Sequence, residues 1–338
     1  MPRDNRELNL KAEKKIRVGL LSGGRSGEHE ISLRSAKSVR ESLDTSKYDV
    51  VEIFIDKEGK WHPAPISPEP GGNGNIDVVI PMLHGTFGED GTVQGLLELA
   101  ELPYVGAGVL ASSVSMDKVM TKRVCREAGL PVVEYVVLGR GGFKSDDVHL
   151  PFGYPVFAKP ANLGSSVGIT KVTSAAGLAA ALATASEYDR KIVVERGVTG
   201  REFECAVIGG DIPAASTPCE IFPSQEFYSY EDKYILDSAR IELPAQLQPA
   251  QVNEIKRLAV ACFEAVGCEG LARVDFLMES STGQIYMNEI NTMPGFTSIS
   301  MYPKMWEYSG LPYSDLLDRL IELALQRART RAETRYTR

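Results

Sequence analysis

The segment Leu271–Gly295, whose sequence is LARVDFLMESSTGQIYMNEINTMPG, constrains the fold more strongly than any other part of the chain. Apolar and polar residues alternate on both sides of a polar stretch at Glu279–Gly283. Such alternation is typical of strands, and the polar stretch is typical of a turn. The segment therefore predicts a β-hairpin with one apolar face and one polar face.

The polar face of this hairpin concentrates charge. Symmetry about Thr282 places Asp275 opposite Glu289. The same register places Arg273 opposite Asn291, on the same face. Like charges opposed across two strands destabilise the pair, whereas Mg²⁺ is held by one or two carboxylates together with substrate phosphates and water. The pattern favours a metal site, and a solvated face on which Arg273 neutralises Asp275 is the alternative.

The sequence Asn-Thr-Met-Pro-Gly follows at residues 291–295. A Pro-Gly pair is typical of a tight turn. The turn brings backbone N–H groups beside the predicted metal ligands, which favours the metal-site interpretation.

The composition is that of a globular protein, with 43% hydrophobic and 24% charged residues among 338. This length is typical of two or three domains. A net charge of −8 argues against a nucleic-acid or anionic-membrane partner. The five cysteines have no CxxC spacing, which argues against structural zinc and a disulfide framework.

The first 15 residues are highly charged and lack the apolar segment of a signal peptide, so we expect a flexible tail there. No apolar run approaches the ~18 residues of a membrane span. The expectation is a soluble, cytosolic protein.

Strands are predicted at Ile16–Leu21, Asp49–Ile55 and Ile76–Met82, with helical patterns between or after them. This alternation predicts a parallel sheet, and ligands bind beyond the carboxyl ends of such strands. Those ends carry Glu28 and His84. Glu28 is either an acid of the first helical turn or a carboxylate that binds an ammonium group.

A single helix is predicted at Ser113–Ala128, with Asp117 and Lys118 on a solvated face. Further along, a strand that ends in Lys159 enters the Gly/Ser-rich loop Asn162–Gly168. The loop lacks the GK[ST] sequence of a P-loop. Its backbone N–H groups and hydroxyls suit a polyphosphate beside a lysine, and a plain hairpin turn is the alternative.

The chain becomes rich in strands from Gly200 onward. The segment Ser224–Arg240 is aromatic, charged and aperiodic, and a loop of this length is usually functional. A helix with a core-facing stripe is predicted at Pro249–Val266. A second, leucine-rich helix is predicted at Tyr313–Ala328, followed by a frayed basic tail.

Six motifs occur in order between Ile16 and Met301: GGRSGEHEISL, LHGTFGEDGTVQG, SMDK, KPANLGSSVG, EFYSYEDKY and RVDF…NEINTMPGFTSISM. Together they resemble the D-alanine–D-alanine ligases of the ATP-grasp superfamily. The resemblance implies an α/β (α+β) ATP-grasp fold of three domains, with an N-terminal parallel-sheet domain. The expected boundaries are 16–110 for the substrate domain, 111–199 for the central domain and 200–338 for the C-terminal catalytic domain.

The resemblance also implies binding residues. It places ATP between the central and C-terminal domains and two Mg²⁺ or Mn²⁺ ions on Asp275, Glu289 and Asn291. In related ligases lysine or glutamine follows the first glutamate of the adenine hinge, and Arg196 stands there in this chain. The implied ATP-binding residues are Lys118, Lys159, Ser165, Ser166, Glu195, Arg196, Val198, Glu202, Lys233 and Asn288.

Substrate and catalytic residues follow from the same resemblance. Tyr234 closes the site through Ser165 and Glu28, and Arg273 with the Gly295 amide stabilises an oxyanion. Ser300 and Met301 hold the carboxylate of the second substrate. The implied substrate-binding residues are Glu28, His84, Arg273, Gly295, Ser300 and Met301, and the implied catalytic residues are Glu28, Ser165, Tyr234, Arg273 and Gly295.

The implied activity is ATP-dependent ligation of two D-alanine molecules through an acyl phosphate, for peptidoglycan precursor synthesis, by a homodimer. Three alternatives stay open: a ligase that uses D-lactate or D-serine as second substrate, a non-catalytic nucleotide-binding relative, and another carboxylate–amine ligase of the superfamily. Tyr234 argues against the D-lactate alternative because it suits an amine as second substrate.

Overall fold

The computed structural model describes residues 14–139, 148–223 and 240–335, which form three β-sheets with helices packed against them. In the first sheet the strand order is β3-β2-β1-β4, and β1 runs parallel to both β2 and β4. The predicted parallel sheet is confirmed, with β3 added as an antiparallel edge strand. Its elements are β1 (Ile16–Gly23), α1 (His29–Ser42), β2 (Tyr48–Ile55), β3 (Trp61–His62), β4 (Val78–Pro81) and α2 (Thr92–Leu99).

The single helix predicted at Ser113–Ala128 is wrong. The chain forms α3 (Val109–Met116) and α4 (Lys118–Glu127), with a break at Asp117. The Asp117 carboxylate accepts hydrogen bonds from the amides of the second and third residues of α4 at 3.0 and 3.1 Å, as an N-cap does. Asp117 is buried and pairs with Lys191, so it does not lie on a solvated face.

The second sheet is antiparallel, in the order β5-β8-β6-β7. One face of α5 covers it through buried Leu178, Ala181, Leu182 and Ala185. The elements are β5 (Tyr135–Gly139), β6 (Val156–Pro160), β7 (Thr170–Val172), α5 (Ala175–Tyr188) and β8 (Lys191–Arg196).

The third sheet has the order β12-β11-β9-β13-β14, with β10 paired to β9. The predicted core stripe of α6 is confirmed at Ile255, Ala259, Cys262 and Phe263, which are buried. The aperiodic segment Ser224–Arg240 lies outside the described residues except for Arg240. The elements are β9 (Gly200–Gly209), β10 (Ala214–Ala215), β11 (Cys219–Phe222), β12 (Arg240–Glu242), α6 (Pro249–Ala265), β13 (Gly270–Glu279) and β14 (Ile285–Asn291).

Two helices follow the hairpin. α7 (Met301–Tyr308) was not predicted, because its eight residues carry a proline in the first turn and lack a long helical stripe. α8 (Tyr313–Ala332) continues beyond the predicted end, where Arg331 pairs with Glu98 of α2. The predicted fraying is therefore wrong as far as Ala332. No helix among the described residues is both long and apolar enough to cross a membrane.

The hairpin register predicted from the sequence is confirmed: Asp275 pairs with Glu289, and Arg273 pairs with Asn291. Toward the turn the register shifts by one, because Phe276 pairs with Met287 and Asn288 is left as a bulge. The bulge places two consecutive residues of β14, Asn288 and Glu289, on the less buried face.

The first and third sheets share one apolar core. Val18 and Leu20 of β1 belong to the same buried cluster as Leu271 of β13 and the α8 residues Leu316 and Leu320. α8 also bonds the first sheet region through its Arg327 guanidinium, which donates to two backbone carbonyls at 2.6 and 2.7 Å. The polar face of β13 and β14 is thereby held in a fixed relation to the carboxyl ends of the parallel strands.

This junction generates a stability prediction at Gly270, which has φ +78° and whose added Cβ would lie 3.1 Å from three backbone atoms of Gly106. Gly283 has φ +71° but open space around it. Gly283→Ala should cost about 1–2 kcal/mol from the left-handed backbone alone. Gly270→Ala should cost a further ~1–3 kcal/mol, because overpacking displaces backbone. Urea unfolding of both variants measures the difference, and equal losses would contradict the close contact.

Candidate active site

Three carboxylates lie side by side across the third sheet. Asp275 of β13 is the register partner of both Glu289 in β14 and Glu204 in β9. Arg273 supplies compensating charge: its Nε and Nη2 atoms each donate to a different oxygen of Asp275 at 2.7 Å, and Nε lies 3.3 Å from Glu204 Oε2. Sequence reasoning missed Glu204, although its alternation with Glu202 in a strand signals a shared face.

The carboxylate of Glu289 faces a second cation. Lys118 Nζ lies 3.9 Å from Glu289 Oε2 and donates a hydrogen bond to the Leu163 carbonyl at 2.7 Å. Lys118 is the first residue of α4, so the break at Asp117 directs this lysine toward the hairpin. The lysine thus bridges the carboxylate row and the Gly/Ser-rich loop.

The residues predicted to bind metal offer a donor set that fits a hard cation. Asp275, Glu289 and Asn291 share one face, and Asn291 Nδ2 donates to Asp275 Oδ2 at 3.1 Å. Their available ligand atoms are oxygens, as Mg²⁺ prefers. Within residues 14–139, 148–223 and 240–335, no three histidine, cysteine or acidic side chains are arranged to hold a metal by themselves. Mg²⁺ takes its remaining ligands from substrate phosphates and water.

A buried charge cluster joins α4 to the second sheet. Lys159 Nζ donates to Glu195 Oε2 at 2.8 Å, and Lys122 Nζ lies 3.2 Å from Glu195 Oε1. Burial alone would raise the pKa of Glu195, but the two ammonium groups lower it to about 2. Sequence reasoning missed Lys122, although a lysine four residues after Lys118 lies on the same helical face.

Glu195 and Arg196, which the resemblance places among the ATP-binding residues, have other contacts in this structure. The Glu195 carboxylate is committed to the two lysines. The Arg196 guanidinium binds Glu134 at 2.5 Å and Glu279 at 2.7 Å, and it lies 3.3 Å from the Tyr286 hydroxyl. Arg196 therefore links the second sheet to the third. Val198 lies in the connection from β8 to β9, and Glu202 lies in β9.

The loop Asn162–Gly168 contacts the first sheet region. Ser165 and Ser166 both have left-handed backbones, with φ +53° and +59°, a conformation that non-glycine residues hold only when their surroundings enforce it. The Ser165 hydroxyl donates a hydrogen bond to Glu28, which is buried at the start of α1. The predicted link between Ser165 and Glu28 is thus present, whereas Lys233 and Tyr234 lie outside the described residues.

His84 is buried, and both of its ring nitrogens are engaged. Nδ1 lies 2.9 Å from the Met293 carbonyl, and Nε2 lies 2.9 Å from the Ser35 hydroxyl. Burial lowers the pKa of His84, so the ring is neutral near pH 7. Because a carbonyl only accepts, Nδ1 carries the proton. A direct contact with substrate through a ring nitrogen would break one of these bonds.

The segment after the hairpin packs tightly. A Cβ added at Gly295 would lie 2.7 Å from Ser300 Oγ. Ser300 Oγ accepts a hydrogen bond from the Thr297 amide at 3.0 Å and lies 2.8 Å from its hydroxyl. Met301 begins α7 with its side chain buried. Thr297 was not predicted. It hydrogen-bonds Ser300, the residue predicted to bind the carboxylate of the second substrate.

A cavity of about 40 Å³ brings several predicted residues together. Glu89 also lines it and was not predicted. Burial, and then the charge of Glu28, raise the pKa of Glu89 to about 8. A cavity of about 370 Å³ beside α8 contains none of the predicted site residues, so size alone does not mark the site. The predicted residues that line the small cavity are Lys118, Ser165, Asn288, Glu289 and Asn291.

Comparison with known families decides the family. The family described as D-ala D-ala ligase C-terminus matches residues 124–322, and that described as D-ala D-ala ligase N-terminus matches residues 17–70 and 64–107. The chain belongs to the D-alanine–D-alanine ligase family. Its fold is the ATP-grasp fold of that family, as the sequence motifs implied.

Individual members of the family are similar along almost the whole chain. A D-alanine–D-alanine ligase of Solibacter usitatus is 61% identical over 96% of this chain and 100% of its own length. D-alanine–D-alanine ligase A of Escherichia coli is 45% identical over 93% and 96%. The chain is therefore similar to these ligases in length as well as sequence.

Solved structures of two ligases superpose equally well. The D-alanine-D-alanine ligase of Coxiella burnetii has a TM-score of 0.84 at 38% identity, over 94% of this chain and 96% of its own. The VanG D-Ala:D-Ser ligase of Enterococcus faecalis has the same TM-score at 36% identity, over 92% and 100%. The family fold alone therefore does not choose between second substrates.

The buried cluster of Lys122, Lys159 and Glu195 leads to a stability prediction. Lys122→Met removes one partner of a buried ion pair and should lower the free energy of unfolding by about 3–5 kcal/mol. Glu195 has a lowered pKa, so its stabilising contribution is present above its ordinary value of 4.5 and is lost as pH falls toward 2. Over this fall in pH, the free energy of unfolding should decrease less in Lys122→Met than in the wild type.

Arg123→Met is the matched control, since Arg123 is the exposed neighbour on α4. Urea unfolding between pH 2.5 and 6 measures both variants, a range set by the ordinary and lowered pKa values of about 4.5 and 2. Equal free energies of unfolding for Lys122→Met and Arg123→Met would contradict the buried ion pair between Lys122 and Glu195.

Proposed function

We propose that the chain joins two D-alanine molecules into D-alanyl-D-alanine, with ATP converted to ADP and phosphate. The observation that carries this proposal is the convergence of Lys118, Ser165 and the Glu289 face on one small cavity. A cation for phosphates and oxygen ligands for a metal thus meet at this cavity. Through its hydroxyl, Ser165 also connects the cavity to Glu28, the carboxylate for an ammonium. The relatives named D-alanine–D-alanine ligase support the choice of substrates.

Phosphoryl transfer comes first, because a carboxylate does not condense with an amine in water without activation. Glu28 holds the ammonium of the first D-alanine. The carboxylate of that D-alanine attacks the γ-phosphorus of ATP, the bridging P–O bond to the β-phosphate breaks, and ADP leaves. Lys118 and Lys159 bind the phosphates. Asp275, Glu289 and Asn291 would hold Mg²⁺ or Mn²⁺, which offsets negative charge on the transferred group. The backbone between Glu195 and Val198 binds adenine, with Glu202 on the ribose side. Asn288 and Ser166 complete the ATP site.

Acyl transfer follows: the unprotonated amine of the second D-alanine attacks the carbonyl carbon of the acyl phosphate and forms the C–N bond. The C–O bond to phosphate breaks, and phosphate leaves. Arg273 and the Gly295 amide stabilise the oxyanion, a contribution typically worth roughly 3 kcal/mol per donor. Ser300 and Met301 hold the second carboxylate. The loop around Ser165 excludes water from the acyl phosphate. His84 lies behind the substrate site, where protein groups engage both of its ring nitrogens.

We also propose that the chain forms a homodimer and acts in the cytoplasm. Leu99 and Leu110 expose 66% and 69% of their surface at the end of α2 and in α3. Self-association that covers these two side chains would remove their apolar surface from water. Light scattering of the purified chain and of Leu110→Glu tests the dimer, and cell fractionation tests the compartment.

Substrate choice is tested by ADP release with D-alanine alone and with D-alanine plus D-serine, D-lactate or L-alanine. We expect D-alanine alone to support ADP release, and mass spectrometry of the mixtures to show mainly D-alanyl-D-alanine. Predominant D-alanyl-D-serine would favour the activity named for the VanG relative. Absence of any D-alanine-dependent ADP release would overturn the proposal.

The proposed metal ligands are tested by Asp275→Asn and Glu289→Gln. Each change should lower Mg²⁺-dependent ADP release by more than about 100-fold, because metal ions supply several kcal/mol of charge stabilisation. The folded state should persist, since loss of one carboxylate relieves repulsion in the row. Glu264→Gln, an exposed change on α6, is the matched control. Near-full Mg²⁺-dependent activity of Asp275→Asn or Glu289→Gln would contradict the proposed metal ligands.

A further inference from the structure

The loop that follows the hairpin is held from the first sheet region. The Met293 amide donates to Glu89 Oε1 at 3.1 Å, and His84 Nδ1 donates to the Met293 carbonyl at 2.9 Å. The Phe296 amide donates to Ser35 Oγ at 3.2 Å. Both polar groups of the Met293 backbone are therefore bound by side chains that lie about 200 residues earlier.

Glu89 is itself fixed by the loop that carries it. Its second oxygen, Oε2, accepts a hydrogen bond from the Gly85 amide at 2.6 Å. Gly85 approaches Glu28 closely, because a Cβ there would lie 2.4 Å from Glu28 Oε2, and its φ of +72° suits glycine. The Glu89 carboxyl group thus joins two backbone segments, one beside Glu28 and the other beside the hairpin.

The position of Met293 determines that of Gly295. The two residues are separated only by Pro294, whose ring fixes one backbone dihedral. On its far side Gly295 lies against Ser300. A short, stiff connection between two anchored ends leaves the Gly295 amide little freedom to reorient.

We propose that Glu89 is a positioning residue: by binding the Met293 and Gly85 amides together, it aims the Gly295 N–H at the oxyanion formed during acyl transfer. This inference rests on the proposed function, in which Gly295 donates to that oxyanion. Phosphoryl transfer joins phosphorus to one oxygen of the first carboxylate, whereas the oxyanion of acyl transfer forms on the other oxygen. Loss of Glu89 should therefore slow acyl transfer more than phosphoryl transfer.

The test uses Glu89→Gln, which keeps the side-chain shape but leaves one oxygen to accept from two amides. Misplacement of a reacting or stabilising group by about 1 Å can cost 100-fold in rate. We expect D-alanyl-D-alanine formation to fall by about 10- to 100-fold, with a smaller change in phosphoryl transfer. Ser35→Ala, which frees the Phe296 amide, should shift the same balance in the same direction.

Reversible phosphoryl transfer is followed by positional isotope exchange in ATP labelled with ¹⁸O at the β,γ-bridge, during turnover of D-alanine. The readout is the ratio of exchange to net dipeptide formation. This ratio does not depend on the fraction of active protein, so misfolding of a variant leaves it unchanged. We expect the ratio to rise about 10-fold or more in Glu89→Gln, as slower acyl transfer lets phosphoryl transfer reverse.

Asp90→Asn is the matched control. Asp90 lies in the same loop and accepts hydrogen bonds from the Phe87 and Thr92 amides at 2.8 and 3.0 Å, within its own loop and helix. Its ratio should equal that of the wild type. An unchanged ratio in Glu89→Gln, or the same rise in Asp90→Asn, would overturn the positioning role. A wild type that makes no dipeptide would instead overturn the proposed function.

Discussion

The carboxylates of Glu204, Asp275 and Glu289, aligned across three neighbouring strands, set the condition that the rest of the site satisfies. Like charges at this spacing repel, so the row requires positive charge from outside its own strands or from its own face. Arg273 supplies it to two of the three, and Lys118 supplies it to the third. The proposed function uses this balance: a metal would replace the protein cations at the carboxylates, and the cations would then bind phosphates.

The surrounding elements deliver those charges from separate parts of the chain. The break before α4 presents Lys118, and the buried glutamate of β8 holds Lys122 and Lys159 together. The left-handed Ser165 closes the loop onto Glu28. Burial makes each unpaired charge costly, so these groups stay ionised only while their partners remain in place. The same contacts that stabilise the fold therefore also set the geometry of the site.

Much of this arrangement could be predicted from the sequence. The hairpin register followed from alternation and from an assumed symmetry about Thr282, since a shift by one residue would bury Asp275 and Glu289. The bulge at Asn288 could not be predicted, because an extra residue leaves alternation intact on either side. The break at Asp117 was missed since helical residues continue across it. Glu89 and Lys122 were missed because the partners that give them their roles, Met293 and Glu195, lie far away in sequence.

The central claim is that the polar face of β13 and β14 holds a divalent cation beside ATP. The most direct measurement is anomalous diffraction at the manganese edge, from crystals grown with Mn²⁺ and a non-hydrolysable ATP analogue. We expect a manganese peak within coordination distance of Asp275, Glu289 and Asn291, with Arg273 still close by. An ordered nucleotide whose manganese contacts none of these three side chains would contradict it.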